Sequence, residues 1–185
     1  MSLTSVNLVE CRCVWAADAA LGEGPVWDEA CQVLWWTDIK GKQFHRYTPE
    51  TGEKKTWDSA RMIGSFALSQ DRQFIAATDQ GFAWLNAVDE QSQVSIDPII
   101  DPEGGMPGNR FNDGKCDPLG RFWAGTMDNA ERSDTGSWWL LDENLECRQL
   151  DQCFGVTNGP AFDEERSRVY FTDSKYQRIF MAELT

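Results

Sequence analysis

Short apolar stretches alternate with polar turns along the whole chain, and this alternation repeats at a nearly constant interval. Four segments each carry an apolar strand that runs into an Asp-containing turn. The aspartates of these turns are Asp28, Asp71, Asp117 and Asp163, and they are spaced 43, 46 and 46 positions apart. Each turn leads into a second strand that ends near Thr and Asp, and further short strands follow it. No window keeps a helical period, so the pattern predicts an all-β fold.

Units of four short antiparallel strands, repeated every 43–46 residues, are typical of the blades of a β-propeller. The length of 185 residues suits one domain, 1–185. The predicted blades lie near 21–57, 64–96, 110–150 and 156–185, with 97–109 as a connecting loop and 8–15 as the outer strand that closes the last blade. A β-sandwich is the alternative architecture, but it would not require the register that the four units share.

Composition narrows the classes of partner. The net charge of −13, from 30 acidic and 17 basic residues, argues against nucleic acid, because its phosphates would be repelled. No run of 18 apolar residues occurs, so no membrane span is expected. The N-terminal segment lacks the basic and apolar regions of a signal peptide, which predicts a cytoplasmic location. The six cysteines are therefore expected to be buried thiols rather than disulfides or zinc ligands.

One position in each unit, five residues before the turn Asp, is expected to line the central channel, because the first strand of a blade faces the axis. This position is occupied by Glu23, Phe66, Asn112 and Asn158. Three of the four offer an oxygen ligand, and an all-oxygen set suits a hard divalent cation. Asn and Glu before Gly are also common turn residues, so a structural role is the alternative.

Other polar residues of the third unit receive structural interpretations. Arg110, Asn112 and Asp113 are placed just before the first strand of a hairpin, and Asp113 and Asp117 are interpreted as turn or strand-capping groups. The single histidine, His45, lies in an amphipathic third strand and is expected to be a surface or packing residue. General-base catalysis by histidine is therefore not expected.

Three motifs together resemble one known family. They are LGEGP at 21–25, NRFNDGKCDPLGRFWAGTM at 109–127 and TNGP at 157–160. In these motifs the chain resembles the senescence-marker-protein/gluconolactonase/luciferin-regenerating-enzyme family, which includes regucalcin, and the resemblance runs from about residue 21 to the end. It implies a six-bladed β-propeller with one divalent metal in the channel and hydrolysis of sugar lactones to aldonic acids.

The resemblance also implies roles for particular residues. Glu23 and Asn158 match metal-ligand positions, with Ca²⁺ the expected ion and Mg²⁺, Mn²⁺, Zn²⁺ and Fe²⁺ as alternatives. Arg110 and Asn112 match positions that contact the substrate, and Asp128 or Glu131 could fill a further substrate-contacting position. The remaining metal ligand, which is also the expected general base, is an Asp that would lie beyond Thr185, so no catalytic base is named in this chain.

Two further questions stay open in the sequence. About four of six expected blades are present, so the chain is expected to be a fragment of a longer enzyme, with assembly of two copies or a four-bladed ring as alternatives. The expected partner is a small sugar lactone, and the sequence does not indicate the oligomeric state. The alternative functions are a calcium-binding protein without catalysis and a propeller phosphotriesterase or arylesterase.

Overall fold

The computed structural model describes residues 11–69 and 74–184, and all regular structure in these residues is β-strand. None of them belongs to a helix that could cross a membrane. The strands are β1 (Gly22–Asp28), β2 (Val33–Asp38), β3 (Gln43–Thr48), β4 (Glu53–Asp58), β5 (Ile63–Leu68), β6 (Phe74–Thr78), β7 (Gly81–Asn86), β8 (Ser95–Ile100), β9 (Asn109–Cys116), β10 (Phe122–Asp128), β11 (Gly136–Leu141), β12 (Cys147–Phe154), β13 (Thr157–Asp163), β14 (Arg168–Asp173) and β15 (Arg178–Glu183).

These strands form four antiparallel sheets that follow one another along the chain, and we call them blades 1 to 4. Blades 1 to 3 each contain four strands, β1–β4, β5–β8 and β9–β12, and blade 4 contains three, β13–β15. Within every blade the strands pair in sequence order. The first strands β1, β5, β9 and β13 contact one another in succession and so lie at the inner side. This confirms the predicted all-β propeller arrangement, with four blades in this chain.

Two boundaries differ from the prediction. Strand β8 continues through residues 97–100, which therefore belong to blade 2 rather than to a connecting loop. Pro98 is tolerated there because β8 is an edge strand and needs no second row of hydrogen bonds. Strand β9 begins at Asn109, so Arg110, Asn112 and Asp113 lie within the strand and not before it.

Aromatic side chains fill the spaces between successive blades. The buried clusters contain Trp35, Phe44, Trp57, Phe66 and Phe74 between blades 1 and 2, Phe82, Phe111 and Phe122 between blades 2 and 3, and Trp138, Phe154 and Phe171 between blades 3 and 4. Each blade is therefore stabilised mainly by its neighbours, as in other repeat architectures. Phe66, which occupies one of the four predicted channel positions, belongs to this core.

The predicted closing strand 8–15 is not formed by its described part. Residues 11–15 are not in a strand, and residues 8–10 lie outside the described residues. Trp15 instead contacts His45, with ring centroids 5.3 Å apart. His45 is buried, stacks on Trp36 at 3.9 Å and shares a hydrogen bond of 2.9 Å with the Thr56 hydroxyl. It is thus a packing residue, and the alternative that it lies at the surface is wrong.

The predicted role of the turn aspartates can be examined at Asp117. Asp117 is confirmed as a turn residue, because its buried carboxylate accepts hydrogen bonds from the backbone N–H groups of Leu119 and Arg121. Asp71 lies outside the described residues.

All six cysteines lie in the described part, and none forms a disulfide. The expectation that they are buried is wrong, because four are exposed and two are half-buried.

Candidate functional site

Glu23 and Asn158 occupy the same position in their blades, because each pairs with the threonine near the end of the adjacent second strand, Thr37 or Thr172. In blade 3 the corresponding threonine, Thr126, pairs with Phe111. Arg110 lies one residue before Phe111 and Asn112 lies one residue after it. The backbone register therefore places Arg110 and Asn112 on either side of the level of Glu23 and Asn158.

The predicted register differs for Asn112 because of the length of one hairpin. Asp28 and Asp163 are the last residues of their strands, whereas Asp117 lies in the loop after β9. Counting five residues back from Asp117 therefore ends farther along the strand. Asn112 lies at a β-bulge, where Asn112 and Asp113 together oppose a single residue of β10.

Blade 2 contributes no polar side chain near this level. The residue of β5 that pairs with Thr78 is Ile63, which is buried. The next residue is Gly64, and a Cβ atom there would lie 2.4 Å from the backbone oxygen of Phe111, so only glycine allows the two inner strands to approach so closely. The polar groups near this level therefore come from the other three blades.

Arg110 is the cationic group of the site, and only 3% of it is exposed. Its Nε donates to Oδ1 of Asn129 at 2.8 Å, and its Nη1 donates to Oδ1 of Asn112 at 2.7 Å and to the Phe111 carbonyl at 3.0 Å. The two N–H groups of Nη2 have no hydrogen-bond partner among the described residues. Burial lowers the pKa of Arg110, and the negative charges of Glu131 and Glu23 oppose this shift.

Asn112 bridges blades 3 and 4. Its Oδ1 accepts the hydrogen bond from Arg110, and its Nδ2 donates to the Thr157 carbonyl at 2.7 Å and to Oδ1 of Asn158 at 3.1 Å. Both N–H groups of the amide are therefore used within the protein. Any contact between this amide and a ligand would use the remaining lone pair of Oδ1.

Asn158 is held from both ends of its amide. Its Oδ1 accepts the hydrogen bond from Asn112, and its Nδ2 donates to the Ser174 hydroxyl at 2.8 Å. This arrangement fixes the direction of Oδ1 and leaves that oxygen one further lone pair. The structure thus brings together Arg110, Asn112 and Asn158 in one continuous set of hydrogen bonds.

Glu23 belongs to the site through its charge. Its side chain is exposed and makes no hydrogen bond or ion pair within residues 11–69 and 74–184, but its charge acts on Arg110. Glu23 lines a cavity of about 420 Å³ together with Phe66 and Asp113. Because it has no fixed partner, its carboxylate is free to turn toward a ligand.

The structure separates the two candidates Asp128 and Glu131. The Asp128 carboxylate accepts hydrogen bonds from the backbone N–H groups of Ala130, Arg132 and Ser133, and the bonds from Ala130 and Ser133 are the main reason that its pKa is lowered. Asp128 therefore shapes the loop after β10. Glu131 is exposed in the same loop, and its charge acts on Arg110.

A second cavity, of about 520 Å³, lies between blades 2 and 3 beside Arg110. Its polar lining includes Asp79, Asp101, Asp128 and Asn129. The buried carboxylate of Glu103 accepts hydrogen bonds from Asn109, Thr126 and Trp139 and so fixes the segment that borders this cavity. The cavity gives a small polar molecule room to reach Arg110.

Several partners in the site were not predicted from the sequence. Asn129 and Ser174 hold Arg110 and Asn158, and Asp113 reaches blade 4 instead of capping a turn. The only available signal was adjacency to known motifs, since Asp113 follows Asn112 directly and Asn129 follows the Gly-Thr-Met-Asp run. Their contacts depend on which blade lies next to them.

The site offers oxygen ligands of the kind that a divalent cation requires. Glu23 and Asn158 both offer oxygen, which hard cations such as Ca²⁺ prefer, and Oδ1 of Asn158 retains a free lone pair. The described residues contain no cluster of three or more His, Cys, Asp or Glu side chains arranged to hold a metal. These two residues therefore fit a hard cation as part of a ligand set completed by other oxygen donors.

The general base expected from the resemblance is not among the residues of this site. It is an Asp predicted to lie beyond Thr185, and Thr185 itself lies outside the described residues, which end at residue 184. The position of this base, and its second role as a metal ligand, therefore stay predictions.

Comparisons with known proteins find relatives by sequence and by structure. A 6-deoxy-6-sulfogluconolactonase from Pseudomonas putida is 32% identical over 163 residues, which are 88% of this chain and 55% of that protein. A luciferin-regenerating enzyme structure superimposes with a TM-score of 0.84 at 27% identity, covering 89% of this chain and 56% of that one. A regucalcin from Agrobacterium tumefaciens, described as a calcium-binding protein, gives 0.82 at 26% identity, covering 90% and 55%.

One protein family also matches most of the chain. The chain spans about half the length of the curated relatives that it matches. The family described as the SMP-30/Gluconolactonase/LRE-like region matches residues 21–185, which include all four blades. The chain therefore belongs to the SMP-30/gluconolactonase/LRE-like family.

Proposed function

We propose that the protein carrying this chain hydrolyses a sugar lactone to the aldonic acid with the help of one divalent cation. The observation that carries the proposal is the hydrogen-bonded set of Arg110, Asn112 and Asn158, which joins a cationic donor beside a cavity to an amide oxygen in the next blade. The family supports the substrate class, because the relative from Pseudomonas putida is named a sulfogluconolactonase.

Glu23 and Asn158 would hold the cation, with Ca²⁺ as the first choice and Mg²⁺, Mn²⁺, Zn²⁺ and Fe²⁺ as alternatives. When bound, such an ion supplies Lewis-acid polarisation of the lactone carbonyl and stabilisation of the negative charge that develops on its oxygen. The acidic character of the chain, with a net charge of −13, favours attraction of cations.

Arg110 would bind and orient the lactone. Its Nη2 has two N–H groups that donate to none of the described residues, and a lactone or hydroxyl oxygen in the cavity is a suitable acceptor. Because its other three N–H groups are held by Asn129, Asn112 and the backbone, the guanidinium is fixed before the substrate arrives.

Asn112 and Glu131 would contribute acceptors. The remaining lone pair on Oδ1 of Asn112 would accept a hydrogen bond from a sugar hydroxyl, and the exposed carboxylate of Glu131 would accept another. Asp128 is the weaker candidate for this role, because its carboxylate already accepts three backbone hydrogen bonds. No described residue is assigned as the general base that activates water.

A second candidate function is calcium binding without catalysis, which the description of the Agrobacterium tumefaciens structure as a calcium-binding protein favours. Such a function needs Glu23 and Asn158 but gives no role to the unused N–H groups of Arg110. The two functions are therefore separated by what Arg110 does, and not by whether the protein binds a cation.

The experiment uses the full-length protein and its Arg110→Lys, Glu23→Ala and Asn158→Ala variants. Hydrolysis of glucono-1,5-lactone is followed by proton release, and cation affinity is measured by calorimetric titration with Ca²⁺. Arg110→Lys should lower kcat/KM by about 100-fold, the effect of losing one donor to a developing oxyanion, with little change in Ca²⁺ affinity. Asn158→Ala and Glu23→Ala should weaken Ca²⁺ binding, and EDTA should abolish turnover.

Each contrary outcome has a distinct meaning. Ca²⁺ binding without turnover of any aldonolactone would support the binding-protein alternative. Turnover of an organophosphate or an aryl ester in place of a lactone would contradict the proposed substrate class. Full Ca²⁺ affinity in Asn158→Ala would contradict the proposed cation site.

A further inference from the structure

Two consecutive side chains of β9 reach the same neighbouring strand. Successive residues of a regular strand point to opposite faces. At the bulge in β9, however, Asn112 and Asp113 together oppose one residue of β10, and both contact β13. The bulge therefore allows blade 3 to contact blade 4 with two adjacent polar groups.

Both oxygens of the Asp113 carboxylate accept backbone hydrogen bonds. Its Oδ1 accepts from the N–H of Gly114 at 2.8 Å, and its Oδ2 accepts from the N–H of Gly159 in blade 4 at 2.7 Å. No lysine or arginine of the described residues forms an ion pair with Asp113. Hydrogen bonds to an ionised carboxylate are stronger than those between neutral groups.

The backbone held by Asp113 is directly bonded to Asn158. Gly159 has a φ of +56°, a conformation that glycine adopts without strain, and its nitrogen belongs to the peptide bond that follows Asn158. Asn112 meanwhile donates to the carbonyl of Thr157, on the other side of Asn158. Blade 3 thus holds three consecutive residues of blade 4, with Asn158 in the middle.

We propose that Asp113 is a positioning residue that fixes the backbone at Gly159, so that Oδ1 of Asn158 is held in the direction required for cation binding. This proposal rests on the proposed function, in which Asn158 is a cation ligand. The role assigned to Asp113 is to hold the backbone, because each of its oxygens accepts a hydrogen bond from a backbone N–H group. Residues that orient a metal ligand typically change metal affinity by about 10- to 100-fold when they are lost.

The experiment compares Asp113→Ala with a matched control in the full-length protein. Asp134 also joins blades 3 and 4, because its carboxylate accepts hydrogen bonds from Lys175 and Tyr176, but it does not contact the backbone around Asn158. Affinity for Ca²⁺ is measured by calorimetry, and thermal unfolding reports the strength of the contact between blades. Asp113→Ala should weaken Ca²⁺ binding by about 10-fold, whereas Asp134→Ala should leave it unchanged.

A conservative variant keeps the test informative if Asp113→Ala does not fold. Asp113→Asn retains one acceptor oxygen but loses the charge, so it should weaken Ca²⁺ binding by about threefold, a smaller loss than that of Asp113→Ala. Unchanged affinity in Asp113→Asn and Asp113→Ala would overturn the proposal. An equal loss in Asp113→Ala and Asp134→Ala would also overturn it, because general contact between the blades would then explain the effect.

Failure of the proposed cation site is distinguishable from failure of this inference. If Asn158→Ala and Asp113→Ala both bind Ca²⁺ normally, the cation site at Asn158 is wrong, and the inference falls with it. If Asn158→Ala loses affinity and Asp113→Ala does not, the site stands and only the role of Asp113 is overturned.

Discussion

Blade 1 and blade 4 begin with the same backbone arrangement but hold their channel residues differently. Glu23 and Asn158 are each followed by glycine and proline, and the two glycines have φ values of +60° and +56°. Both channel residues pair with a threonine, and a shift in register follows each of them. The local sequence therefore produces the same bulged start in two blades.

The side chains nevertheless have different surroundings. Oδ1 of Asn158 accepts a hydrogen bond from Asn112, and its Nδ2 donates one to Ser174. Glu23, by contrast, is exposed and its side chain has no hydrogen bond in the described part of the chain. Blade 3 precedes blade 4 and supplies polar groups from β9, but no described sheet precedes blade 1. The orientation of a channel side chain thus depends on the adjacent blade, whereas the conformation of its backbone depends on the neighbouring residues in the sequence.

This difference predicts unequal roles at a cation site. Asn158 is oriented before a ligand binds, whereas Glu23 loses side-chain freedom on binding. Four experiments test the comparison, from the largest expected effect to the smallest: the first three examine the backbone contacts at the start of the blades, and the last examines what separates the two channel residues.

The largest effect is expected for the aspartate that ends the second strand of each blade, Asp38 in blade 1 and Asp173 in blade 4. Each buried carboxylate accepts three backbone hydrogen bonds, two from the segment before the inner strand and one from the loop that follows. Replacement by Asn should lower the free energy of unfolding by about 2 kcal/mol at either position, measured by urea denaturation. A loss at only one position would show that the two blades are not equivalent.

Low pH should also reduce the stability of the fold through Asp38. Burial would raise the pKa of Asp38, but hydrogen bonds from Gly41, Leu21 and Ala20 outweigh burial and lower it. A lowered pKa in the folded state contributes stability above the ordinary Asp value of about 3.9, and this contribution is lost as the pH falls through the folded value. Stability should therefore fall below about pH 4, with a shallower slope in Asp38→Asn.

A smaller effect is expected for the two glycines. Neither Gly24 nor Gly159 is crowded, because the nearest atom to an added Cβ is 3.8 Å away in each case. Substitution by Ala should therefore cost only the left-handed backbone penalty, about 1 kcal/mol at each site, measured by chemical denaturation. Gly52, which has a φ of +73° in an open turn, is the matched control. A loss at Gly159 far above that at Gly52 would mean that blade 3, and not the local backbone, dominates there.

The smallest effect is expected for Ser174, whose hydroxyl accepts the hydrogen bond from Nδ2 of Asn158. Because Ser174 is exposed, water can replace the hydroxyl, so Ser174→Ala should weaken Ca²⁺ binding by only about twofold to threefold. Ser174→Thr keeps the hydroxyl and should restore affinity in the same titration. A loss as large as that of Asn158→Ala would show that Ser174 is itself a ligand.

Much of the fold could be predicted from the sequence because a propeller repeats a local pattern. The spacing of Asp28, Asp117 and Asp163 predicted the blades, and the structure contains a sheet at each of them. The end of β8 was missed, because Pro98 usually marks a loop and an edge strand tolerates it. The exposure of the cysteines was also missed, because burial depends on the neighbouring sheet and not on residue type alone.

The sequence by itself determined the all-β repeat and the identity of the candidate ligands Glu23 and Asn158, because these depend on residues close together in the chain. Only the tertiary structure decided that Asn112 links Arg110 to Asn158 across two blades and that Asp113 holds the backbone beside Asn158. These contacts join residues about 46 positions apart, and their geometry exists only once one blade has packed against the next.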